Sequence, residues 1–121
     1  MQAERRTYTR FDISFTVEFK QVKGKSRVFS GTALNFSRAG VCLKIKDGTP
    51  ELREAVELNM KLPHNDSVVP ALGDVLWIDK NDNQCVLGIK LVVMDKEAKF
   101  DLLDYCRNVQ VYKHRYGLSM N

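Results

Sequence analysis

No stretch of this sequence approaches the roughly 20 consecutive apolar residues that cross a bilayer. Its first residues, MQAERRTYTR, lack the apolar centre of a signal peptide. A cytoplasmic location is therefore expected. Cysteine is scarce: Cys42, Cys85 and Cys106 are an odd number at wide spacing, with no Cys-x-x-Cys and only His64 and His114 to assist them. That argues against a disulfide framework and against a bound metal such as zinc. The three thiols read instead as small apolar residues in strands or on a helix face. No histidine pair at helical spacing and no nucleophile motif occurs, so the chain is not expected to be an enzyme. Asp79-Lys80-Asn81-Asp82-Asn83 opens like a calcium loop. However, Gln84 stands where that loop needs glycine and Lys90 where it needs the closing glutamate, so calcium is not expected either.

What the chain does have is enough apolar material for one core. It is 121 residues long, 44% hydrophobic and 28% charged, which suits a single globular domain and neither wholesale disorder nor two domains. The net charge of +4 is unremarkable, but its distribution is uneven. Residues 1–46 hold 10 Lys/Arg against 3 Asp/Glu, whereas residues 47–121 hold 9 against 12. An anionic partner near the N-terminus is the expectation.

Hydrophobic periodicity supplies the elements. Phe11, Ile13, Phe15, Val17 and Phe19 alternate with Asp12, Ser14, Thr16, Glu18 and Lys20, the signature of a half-buried strand over Phe11–Val22. Lys23-Gly24-Lys25-Ser26 is a turn, and Arg27–Phe36 returns antiparallel to the first strand. Val41–Lys46 makes a third strand with Val41, Leu43 and Ile45 inward. Val56–Leu62 makes a fourth, ended by Pro63. Val68–Asp79 and Gln84–Val93 form a last hairpin about Lys80–Asn83. Six antiparallel strands in so short a chain favour a closed or nearly closed barrel, which removes exposed edges. From Asp95 the period changes to helical. Ala98, Leu102, Tyr105, Val109, Tyr112 and Tyr116, helped by Phe100 and Leu103, make an apolar stripe, with Asp95 as N-cap and Gly117 as stop. This C-terminal α-helix is expected to pack on the barrel; the alternative is a seam with another protomer or partner. The expected division is an Arg-rich, flexible N-terminal segment at 1–10, a barrel at 11–94 and a helix at 95–117.

Two short patterns stand out in the basic third: Arg6-Thr7-Tyr8-Thr9-Arg10, an R-x-x-x-R, and Asn35-Phe36-Ser37-Arg38-Ala39-Gly40, an N-x-S-x-x-G. If the first hairpin turns about Lys23–Ser26, opposed residues sum to about 49, so Arg10 falls opposite about position 39. Guanidinium groups, an amide, a hydroxyl and a glycine then converge, with Arg5 and Arg38 adding charge. Arginine can donate in pairs to phosphate or to O6 and N7 of guanine, and its planar face stacks on a base. Asn35 and Ser37 can hydrogen-bond a base edge, and Gly40 leaves room for a ring against the strand. The ligand these groups suit is both anionic and purine-bearing.

At these residues the sequence resembles the PilZ domain family, whose signatures are R-x-x-x-R before the first strand and [D/N]-x-S-x-x-G after the second. Val75-Leu76-Trp77 and Leu87-Gly88-Ile89-Lys90-Leu91 are similar to the family's late hairpin, so the resemblance covers nearly the whole chain. It implies a mainly β fold, a six-stranded antiparallel PilZ-type β-barrel with a C-terminal α-helix. It also implies binding of the bacterial second messenger cyclic di-GMP, with no other cofactor. By that resemblance Arg6 and Arg10 grip guanine and phosphate, Asn35 and Ser37 contact a guanine edge, and Gly40 permits close approach. Arg5, just before the first motif arginine, resembles members that take two ligand molecules. The implied role is a receptor that changes conformation and signals to a protein partner in motility, attachment or exopolysaccharide control. Trp77 is read first as a partly buried barrel residue and second as a neighbour of the ligand. Two rival readings are a PilZ-like adaptor that works without ligand, and a basic barrel that binds single-stranded nucleic acid on Tyr8 and Phe36.

Overall fold

The computed structural model of the protein describes residues 9–22, 28–46 and 50–116, the side chains of residues 112–114 and 116 aside. Six strands precede one helix: β1 (Phe11–Gln21), β2 (Val28–Phe36), β3 (Gly40–Ile45), β4 (Ala55–Lys61), β5 (Val68–Asn81), β6 (Gln84–Met94) and α1 (Lys96–Tyr116). The strands close into a barrel in the order β1-β2-β3-β6-β5-β4, with every neighbouring pair antiparallel. This is the barrel expected from the alternation, now with its order. The junction of β3 with β6 joins strands far apart in the sequence.

Alternation decides what faces inward. Phe15, Val17 and Phe19 of β1 are buried, as are Val41, Leu43 and Ile45 of β3 and Val56, Leu58 and Met60 of β4. Phe19 stacks on Phe29 with ring centroids 5.1 Å apart, and Phe15 meets Phe36 edge to face at 6.4 Å. Burying one such side chain contributes about 1.5–3 kcal/mol. Strand limits differ from the sequence reading by one or two residues. Leu62 lies just past β4 yet is buried. The last hairpin turns on Asp82-Asn83 alone, because Asp82 adopts φ 53° and so permits a turn shorter than the tetrad Lys80–Asn83. The turn at Lys23–Ser26 and the stop at Gly117 lie outside the described residues.

The helix begins where the sequence places its cap, with Asp95 Oδ2 accepting the Ala98 N–H at 2.9 Å. Leu102, Leu103 and Cys106 join the barrel core, with Ala98 and Tyr105 packed at its edge. Two corrections to the expected stripe follow. Phe100 is half exposed, because it sits about 200° around the helix from Leu102, and Cys106 takes its place in the core. Burial pushes the Cys106 thiol up to about 11, against the smaller opposing pull of Arg107, as expected of an inert packing residue. A second clasp fixes the helix. His64, between β4 and β5, lies over Tyr105 with ring centroids 4.7 Å apart and places Nε2 2.8 Å from Asp101 Oδ2. Asp95→Ala should cost about 1 kcal/mol through the lost cap. The expected outcome is a melting temperature lower by a few degrees; an unchanged one would show that tertiary packing alone holds the first turn.

Among the described residues no helix is long and apolar enough to cross a membrane, and no cluster of three or more potential metal-ligating side chains forms.

Candidate functional site

The hairpin of β1 and β2 pairs Phe11 with Phe36 and Asp12 with Asn35. Opposed residues therefore sum to 47 or 48 rather than 49, and a bulge separates Asp12 from Phe15. Arg10, one residue before β1, consequently falls level with Ser37 instead of Ala39. With that shift, Arg10 is the one residue of the first motif that the described structure brings to the second. Arg10, Asn35, Ser37 and Gly40 line one groove of about 290 Å³ on the outer wall of the barrel. That volume lies just below the range for small-molecule sites, roughly 300–1,000 Å³.

The loop between β2 and β3 is built by its own serine. Ser37 is buried, and its Oγ accepts the N–H groups of Ala39 and Gly40, each at 3.2 Å. Its own proton has only the Gly40 carbonyl at 3.5 Å, a long contact that leaves the hydroxyl able to donate elsewhere. The loop backbone is tied from outside as well. The Leu91 N–H donates to the Ala39 carbonyl at 2.8 Å, and Lys99 Nζ of α1 donates to the Arg38 carbonyl at 3.1 Å. The Arg38 side chain is exposed and is not part of the groove lining. Arg5 and Arg6 lie outside the described residues.

Gly40 has a role that the motif alone does not reveal. It pairs with Lys90 across the β3–β6 junction, and a Cβ there would collide with the backbone oxygen of Ile89. The glycine is thus required for two strands to approach, before any ligand is considered.

Trp77 forms the far side of the groove. It is 44% exposed, more open than the partly buried residue expected, because the bulge between Val75 and Trp77 turns it outward. Its indole lies directly over Gly88, its cross-strand partner, where any Cβ would collide with the ring. Gly88→Ala must therefore lift Trp77 off the wall. Since this is the only tryptophan in the chain, a red-shifted emission spectrum is expected, and an unshifted one would mean that the ring does not rest there. Cys42, Leu76, Gly88 and Lys90 also line the groove and were not read from the motifs. Cys42 is held above the ordinary thiol range by burial, with Arg10 pulling the other way. A glycine inside a strand, opposite a bulky aromatic, was an available signal for Gly88. Phe36 is fully buried, so it cannot act as a stacking platform, and Tyr8 lies outside the described residues.

The arrangement is chemically equipped to bind an anion. Arg10 and Lys90 supply cationic donors, Asn35 an amide, Ser37 a hydroxyl and Trp77 a flat apolar face. These groups suit a phosphate joined to a planar base.

A model of the PilZ domain family matches residues 4–108. No curated protein matches. Among solved structures, the Bacillus subtilis inhibitor of motility MotI/DgrA is similar at 20% identity and TM-score 0.75, over 92% of this chain and 54% of that one. The PilZ domain of YcgR from Escherichia coli, solved with c-di-GMP, is similar at 10% identity and TM-score 0.73, over 96% of this chain and all of that one. A YcgR chain from the same organism, also in complex with c-di-GMP, matches at 13% identity and TM-score 0.69, over 94% of this chain and 50% of that one. The chain spans about half the length of the motility inhibitor and of that longer YcgR chain. At these identities the likeness is one of fold: a six-stranded antiparallel barrel with a C-terminal helix.

Proposed function

The chain belongs to the PilZ domain family, and on that premise we propose that it is a receptor for cyclic di-GMP, bound in the groove between Arg10 and Trp77. The observation that carries this reading is the meeting of both motifs on one wall. Arg10 of the first and Asn35, Ser37 and Gly40 of the second line the same groove, although the two motifs are separated by the whole β1–β2 hairpin. Two similar structures were solved with this ligand.

In this reading Arg10 and Arg6 hold phosphate and the Hoogsteen edge of guanine, Asn35 and Ser37 bond a base edge, and Trp77 presents its face to a ring. Arg5 and Arg38 add charge at the rim, and Arg5 favours a pair of ligand molecules. The groove is too small for a whole dinucleotide. It takes one base with its phosphate, and the N-terminal arginines hold the remainder. Asn35 offers one acceptor oxygen where an aspartate would offer two, so affinity is set mainly by the arginines.

The output is a change in the surface near the groove that a protein partner reads. Control of motility, attachment or exopolysaccharide is the proposed setting, and one similar structure is an inhibitor of motility. The protein acts as a binding switch without catalysis.

Titration calorimetry with cyclic di-GMP tests the proposal. The expected result is saturable binding with a stoichiometry of two. A stoichiometry of one would overturn the role given to Arg5, and flat heats would favour an adaptor that needs no ligand.

A further inference from the structure

Four of the ten cations in residues 1–46 belong to the motifs and their flanks: Arg5, Arg6, Arg10 and Arg38. The other six are Lys20, Lys23, Lys25, Arg27, Lys44 and Lys46, and no Asp or Glu occurs between Glu18 and Asp47. The fold gathers the described members of this set on the outer wall of β1, β2 and β3. Leu43 and Ile45 face the core, so Lys44 and Lys46 face out. Thr16, Thr32 and Lys44 form one cross-strand row, and Lys20 lies opposite Val28 in another. Thr16, Val28, Ser30, Thr32, Lys44 and Lys46 line a depression of about 490 Å³. The neighbouring acids are Glu18, opposite Ser30, and Glu57, whose carboxylate is 4.0 Å from Lys20 Nζ.

We propose that this wall docks on an anionic membrane surface. Charge complementarity selects an anion, and three features select a headgroup layer. Lys20, Lys44 and Lys46 are compact hydrated charges that suit a diffuse lattice of phosphates better than bidentate recognition of one group. Val22 and Val28 are each more than half exposed beside them, apolar tips able to enter the headgroup boundary. Nucleic acid would call for stacking surfaces, and among the described residues this wall exposes no aromatic ring, Phe29 being buried. This wall uses none of the groove residues, so the proposal stands independently of ligand binding.

Co-sedimentation of the full chain with vesicles tests it. Equimolar phosphatidylglycerol and phosphatidylcholine should retain the protein at low salt, and phosphatidylcholine alone should not. About 0.5 M salt should release it, because screening then acts within a few ångströms. Each lysine near such a surface is worth about five-fold in partition, so Lys44→Gln with Lys46→Gln should weaken binding about 25-fold. Val28→Ser should weaken it with charge unchanged. Melting temperature and cyclic di-GMP titration should be unaltered in both variants, which separates a docking defect from a folding or ligand defect. Equal retention by the two vesicle types, retention indifferent to both variants, or capture by an oligonucleotide or polyglutamate without vesicle binding would each overturn the proposal.

Discussion

Arg10→Ala is expected to give no measurable heat when titrated with cyclic di-GMP, and Arg6→Ala the same. A micromolar site has about 8 kcal/mol of net binding free energy. A bidentate arginine contact contributes roughly 1–3 kcal/mol, and more is lost when its phosphate or guanine partner stays desolvated. Removing Arg10 takes away the guanidinium that lines the groove beside Asn35 and Ser37, so affinity should fall at least about 100-fold, near 2.7 kcal/mol. Arg10→Lys should fare little better, since a point charge cannot make the paired contact. Retained wild-type affinity in Arg10→Ala would overturn the ligand assignment. Lys44→Gln, on the other part of the wall, is the control expected to bind normally.

Gly40→Ala should damage the fold and the binding site together. The added methyl meets the Ile89 backbone oxygen, and a backbone atom cannot swing aside as a side chain would. Relief requires opening the β3–β6 ladder at its first pair, Gly40 with Lys90. Overpacking of this kind costs about 1–3 kcal/mol. For a domain of this size that lowers the melting temperature by about 5–15 °C. Ligand binding should be lost too, because Ser37 Oγ accepts the Gly40 N–H and the loop moves with the strand. A variant that melts normally yet binds nothing would return Gly40 to the simpler role of making room for the ligand. Thermal melts alongside titrations separate the two cases.

Much of the barrel was readable because its strands alternate cleanly. Phe11 to Phe19, Val41 to Ile45 and Val56 to Met60 each show which face is buried, and Asp95 marks the helix start. Pairing arithmetic set Arg10 against the second motif with an error of two residues, one already present next to the turn and one added by a bulge that no local residue announced. The remaining groove residues depend on β3 lying beside β6. That adjacency brings Lys90 to Gly40 and Gly88 to Cys42, and it is a fact of closure that local periodicity cannot encode. Helix packing was half legible. The spacing found Leu102 and Tyr105, but it assigned Phe100 to the core because it is large and apolar, when its angular position faces water.

Closure of the barrel also limits how this protein can be recognised. Among the described residues each strand pairs with a neighbour on both sides over part of its length, and single-sided backbone remains along stretches such as Phe11–Thr16 of β1, which pair with β2 alone, and Leu76–Asn81 of β5, which pair with β6 alone. An extended peptide therefore finds no full-length strand edge along which to add itself by β-augmentation, the route by which open sheets capture partners through main-chain hydrogen bonds, but only short stretches such as these. A macromolecule that engages the barrel elsewhere does so through side chains, and specificity is then written in the identity of a few outward residues, where single substitutions can rewrite it without disturbing the ladder beneath.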